Sequence, residues 1–188
     1  MMPAAKGDAM QSLIRLFIDI ALHRKGPQDV PAAGGVLGLA LIAYLAMGAA
    51  TLWPSAQGMH LLVAQLALDL LLTAVVFGVL LLATGRAGRI RQTLAALFGT
   101  GALLNALALP AVWVAARVLA EGAPAPGMEV PALLSTLALF MLLLASLLVT
   151  GHILRHALDW SYAAGVLAAV IYFSLSVAIF RGLFPVAE

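Results

Sequence analysis

An aspartate in the middle of an apolar run is the first residue of this chain whose type and position could carry chemistry. Asp69 is flanked by Leu68 and Leu70, and Gln65 and Thr73 lie four residues to either side. On a helix that spacing puts Gln65, Asp69 and Thr73 in one polar stripe. A charge in such surroundings costs at least ~2.5–3.5 kcal/mol in a bilayer, so the carboxyl needs a partner, a wet cavity or a proton. Counted at 1.5 Å per residue, Asp69 lies about 22 Å from Thr84, Asn105 about 20 Å from Gln92, and Ser174 about 21 Å from Trp160. The matching depths predict a hydrogen bond between Asp69 and Asn105, with Ser174 or Tyr172 nearby. Two uses follow. One is a ligand or proton site, because a carboxyl held out of water can alternate between neutral and charged forms. The other is interhelical glue, worth ~0.6 kcal/mol per contact on average.

His152 and His156 are four residues apart and Asp159 is three further on, so all three share a helix face. That spacing suits zinc only with a fourth ligand or water, and Arg155 in the same turn opposes a cation. The expectation is therefore an interfacial cluster, with Trp160 and Tyr162 as belt residues, and no metal. No cofactor is expected either. Metalloprotease helix, nucleophile elbow, phosphate loop and dense acidic pair are all missing from the sequence, and Gly99-Thr100-Gly101 follows apolar helix rather than strand. The expectation is a protein that is not an enzyme. The chain has no cysteine, which excludes disulfides, thiolate metal sites and a cysteine nucleophile.

The elements that must position these residues follow from composition. Of 188 residues 64% are hydrophobic and only 10% charged, with a mean hydropathy of +1.09. Water-soluble domains are ~45–50% apolar and ~25% charged, so the solvent expected here is lipid. A helix crossing the ~30 Å hydrocarbon layer needs ~20 apolar residues. Five stretches qualify: 33–53, 60–84, 92–116, 131–152 and 160–180. The fold class is thus all-α, a polytopic bundle of five transmembrane helices in one domain, 33–188, preceded by a segment, 1–32. With the N-terminus inside, eight of the ten basic residues fall on the cytoplasmic side, namely Lys6, Arg15, Arg24, Lys25, Arg86, Arg89, Arg91 and Arg155. This predicts an inner-membrane protein with a cytoplasmic N-terminus and a periplasmic C-terminus.

Within the leading segment, Ser12, Arg15, Asp19 and His23 recur at helical spacing among Leu13, Ile14, Leu16, Phe17, Ile18 and Ile20. An amphipathic helix over 10–25 is expected, either lying on the interface or packed beneath the spans. Arg15, Arg24, Lys25, Arg86, Arg89 and Arg91 are the candidates for lipid head-group contact, at ~1 kcal/mol per basic residue. A net charge of only +2 makes no nucleic-acid surface. Small residues at Gly34/Gly38, Ala46/Ala50, Ala95/Gly99, Gly101 and Gly165/Ala169 mark expected close helix contacts, one of which could serve a membrane-protein partner or a second copy.

The run Arg91-Gln92-Thr93-Leu94-Ala95-Ala96-Leu97-Phe98-Gly99-Thr100-Gly101-Ala102-Leu103-Leu104 resembles the third span of small bacterial Yip-like proteins. Gly151-His152-Ile153-Leu154-Arg155-His156-Ala157-Leu158 resembles the inner end of their fourth. The Asp-Leu-Tyr-Gly-Pro signature of the eukaryotic members is reduced here to Gly26-Pro27. The resemblance implies a non-enzymatic membrane protein that organises the membrane or recruits a partner. The residues themselves leave a second expectation open, a small proton-linked transporter or permease subunit using Asp69 and Asn105.

Overall fold

The protein is represented by a computed structural model that describes residues 5–122, 124 and 126–184. Both chain ends, whose sides of the membrane the sequence predicts, and the Lys6 side chain lie outside the described residues. Six α-helices account for the architecture: α1 (Ala5–Ala21), α2 (Gly34–Leu52), α3 (Met59–Ala83), α4 (Ile90–Glu121), α5 (Glu129–Leu158) and α6 (Tyr162–Leu183). No strand occurs among the described residues. Helices α2 to α6 are long and apolar enough to cross a membrane, so the chain is a multi-pass, all-α membrane protein.

The helices begin and end where the local chemistry demands. Pro27 opens a short 3-10 turn, Pro27–Asp29, and the Asp29 carboxylate accepts from the Gly26 amide at 2.8 Å. Pro54 ends α2 through a similar turn, Trp53–Ser55. Ser161 caps α6 by accepting from the Ala164 amide. Helix α4 continues through Pro110, which leaves the Ala106 carbonyl without its usual amide partner.

The packing is uneven. Helices α2, α4, α5 and α6 form a row in that order, each in extensive contact with the next, whereas α3 touches α2, α4 and α6 more sparingly. Glycines set the close spacing within the row. A Cβ on Gly165 would collide with the Gly151 carbonyl oxygen, and one on Gly151 would come within 2.8 Å of the Val166 backbone. Gly101 lies beneath the Tyr44 ring in the same way. Without a hydrophobic drive between helices in lipid, such approaches provide the dispersion contact that holds them. Gly34 and Gly38 differ from the sequence expectation, since nothing lies within 4 Å of a Cβ at either. At both positions a side chain would meet open space, so neither glycine is needed for a close helix approach.

Helix α1 joins the bundle rather than standing apart from it. Leu16, Phe17 and Ile20 are buried, chiefly against α4, and Phe17 fills the notch left by Gly99. Met10, Ile14 and Ile18 on the adjoining flank stay exposed. The apolar arc of α1 is therefore shared between protein and surroundings, while Gln11, Ser12 and Arg15 form its exposed polar side.

Candidate functional site

The mid-membrane polar stripe of α3 faces the row. Thr73 is buried, and Gln65 and Asp69 are half-buried. The partner of Asp69 is Tyr44 on α2, whose hydroxyl donates to Asp69 Oδ2 at 2.6 Å. This corrects the expected bond to Asn105. One turn along α3, the Thr73 hydroxyl donates to the Asp69 carbonyl at 2.9 Å and lies 2.8 Å from the Tyr172 hydroxyl of α6. Two polar latches thus tie α3 across the row, one to each end of it.

Cavities lie on either side of the first latch. The larger, of about 250 Å³, is lined by Gly48, Thr51, Gln65, Leu66 and Phe180 in addition to Tyr44, Asp69 and Asn105. The other, of about 190 Å³, has Thr73, Phe77, Phe98, Ser146, Thr150 and Tyr172 around the same Tyr44, Asp69 and Asn105. Helix direction places them along the membrane normal: the second extends toward the arginine-rich turns, the first toward the opposite end. Asn105 belongs to both without bonding Asp69. Ser174 differs from the expectation, being exposed on α6 and lining neither cavity. Tyr172, about 200° around the helix from it, takes the inward position.

At the arginine-rich end the three residues weighed for a metal separate. Asp159 ends α5 in a left-handed conformation, φ 54°. Its Oδ2 accepts from Arg86 at 3.1 Å and Arg89 at 3.0 Å. These two guanidinium groups hold the Asp159 carboxyl below the usual carboxylate range. Arg89 also donates to the carbonyls of His156 and Ala157. Arg86 and Arg89 thus clasp the α3/α4 and α5/α6 turns together, while Arg15, Arg24, Lys25 and Arg91 remain exposed.

His152 is buried, and its Nε2–H donates to the Lys25 carbonyl at 2.9 Å. Its ring lies 4.4 Å from that of His23 and 4.7 Å from that of His156. His23 adopts φ 61° at the end of α1 and donates from Nε2 to the Leu148 carbonyl at 3.3 Å. No group of three or more ligating side chains with the geometry to hold a metal ion occurs among the described residues. The cluster anchors the end of α1 to α5.

Sequence reasoning missed Tyr44 and His23. Tyr44 had a usable signal: it sits about 12 Å from the Leu52 end of α2, and Asp69 about 15 Å from the adjoining Met59 end of α3. Comparison with protein-family models, curated proteins and solved structures finds no match, so the Yip resemblance rests on the sequence motifs alone.

Proposed function

We propose that the chain is a small, non-enzymatic membrane transporter that moves a proton-linked solute along the seam between α3 and the row. The observation that carries this reading is the pair of cavities, about 190 and 250 Å³, stacked on either side of one hydrogen bond between Tyr44 and Asp69. Interhelical glue needs no such cavities, since a polar contact stabilises a bundle best when packing closes around it. Opening the Tyr44–Asp69 bond costs about 0.6–1 kcal/mol, a barrier that a solute or a proton can offset. Asp69 can take up a proton or pair with a cation, and loss of either changes what Tyr44 donates to. The basic turns, with Arg86, Arg89, Arg91 and Arg155, support placing that end and the N-terminus in the cytoplasm and the C-terminus in the periplasm of an inner membrane.

The test is proton movement in vesicles. With the purified chain reconstituted around a trapped pH-sensitive dye, an imposed potential is expected to change the internal pH. Asp69→Asn should abolish the change and Tyr44→Phe should accelerate it. Equal rates in wild type, both variants and empty vesicles would contradict the reading.

A second reading, a Yip-like membrane organiser that acts on lipid, a partner or another copy of itself, draws support from the exposed Met10, Ile14 and Ile18 flank of α1 beside Arg15. It requires vesicle binding or shape change that depends on this flank and is indifferent to Asp69.

A further inference from the structure

A third cavity bears on what the solute is. Between α3 and α6 lies an apolar groove of about 480 Å³, lined by Val75, Val79, Ala83, Ala168 and Leu175 and bounded by Trp160. Two of its residues, Phe77 and Tyr172, also line the polar cavity beside Asp69. Their rings pack at a tilt of 47° with centroids 4.7 Å apart and form the partition between groove and cavity. Hydrocarbon therefore lies against one side of this partition and the Asp69 site against the other.

The polar cavity has a definite chemical preference. Among the described residues, neither it nor its neighbour across Tyr44 is lined by any Lys, Arg or His, and Asp69 is the one acid in both linings. Four aromatic rings, those of Tyr44, Phe77, Phe98 and Tyr172, surround the space next to that carboxyl. Aromatic faces with one carboxylate attract an ammonium and repel an anion. We propose that the transported solute is a single-chain amphiphile with an ammonium head. Its head sits among the four rings at Asp69, and its tail passes the Phe77/Tyr172 partition into the α3/α6 groove. This rests on the transporter reading and names the solute class for the same site.

Trp160 offers a direct reporter, because the other tryptophans, Trp53 and Trp113, lie together at the opposite end. The full chain bearing Trp53→Phe and Trp113→Phe, in phosphatidylcholine nanodiscs, would be titrated with an alkyltrimethylammonium brominated along its chain. Saturable quenching of Trp160 is expected, with an apparent Kd raised roughly tenfold or more by Asp69→Asn, since that removes a charged partner. Ala168→Phe, which fills the groove, should abolish saturation while leaving the polar cavity intact. A brominated alkyl sulfate of equal length should quench weakly and without saturation. Like quenching by both amphiphiles, unaffected by Asp69→Asn and Ala168→Phe, overturns the proposal. Thiol labelling of Leu66→Cys and Thr150→Cys in the same nanodiscs separates the two levels. Labelled cavities without ammonium binding remove the solute class alone, whereas unlabelled cavities remove the transporter reading beneath it.

Discussion

Two sets of helix contacts in this molecule are built on opposite principles. Where α6 meets α5, and where α1 meets α4, glycines at Gly151, Gly165 and Gly99 remove side chains so that backbone or an aromatic ring can close the gap. Where α3 meets the row, contact is sparser, cavities remain, and two hydroxyl-mediated latches bridge them. On the transporter reading, the difference lets a small membrane protein be rigid and openable at once. Dispersion contact falls off steeply with separation, so the glycine seams resist movement. A latch of one or two hydrogen bonds can break and re-form at modest cost.

The largest effect is expected at the tightest point. Gly165→Val places branched carbon against the Gly151 carbonyl and the Arg155 amide, both of them backbone that cannot step aside. Unfolding in mixed micelles, followed by circular dichroism, should show a loss of about 3 kcal/mol or more, or no folded protein. A wild-type midpoint would mean that α5 and α6 do not meet at these glycines.

The α1 seam should respond less, and in a coupled manner. Gly99→Val alone should cost about 1–3 kcal/mol by displacing the Phe17 ring. In a Phe17→Ala background the same change should cost clearly less, because the ring it displaces is gone. Additive costs in this double-mutant cycle would separate α1 from α4.

On the latch side the stability effects are smaller still. Tyr44→Phe removes one hydrogen bond and should cost about 0.6–1 kcal/mol. The smallest effect belongs to the clasp between turns. With its folded value lowered by Arg86 and Arg89, Asp159 contributes stability above its unfolded pKa of about 3.9 and loses it as pH falls through the folded value. The difference in unfolding midpoint between wild type and Asp159→Asn should therefore be constant near neutrality and vanish in acid. A difference that grows in acid would contradict the ion pairs.

Much of the fold was legible because hydropathy and bilayer thickness act on long stretches. The expected span 60–84 and the observed Met59–Ala83 nearly coincide, and 33–53 matches Gly34–Leu52 as closely. The spans 92–116 and 131–152 are exceeded by α4 and α5; at the end of α5 the extra turns, with Ile153, Leu154, Ala157 and Leu158, are buried against neighbouring elements. The site was legible in depth but not in rotation. Depth placed Asp69, Asn105 and Ser174 together, yet which way Ser174 points depends on how α6 packs against α5 at Gly165, a relation between distant residues. Tyr44 escaped notice because a tyrosine in an apolar run reads as packing until its hydroxyl has a partner. His23 was hidden for a similar reason: its meaning comes from His152 and Leu148 on another helix.

The central claim is that a single latch divides two solvent-reachable spaces, and thiol accessibility tests it most directly in a chain with no native cysteine. In oriented vesicles, a membrane-impermeant maleimide should reach Thr150→Cys only from the arginine-rich side and Leu66→Cys only from the opposite side. Adding Tyr44→Phe should let the reagent reach both positions from either side. Failure of both positions to react from any side, with or without Tyr44→Phe, would contradict the account.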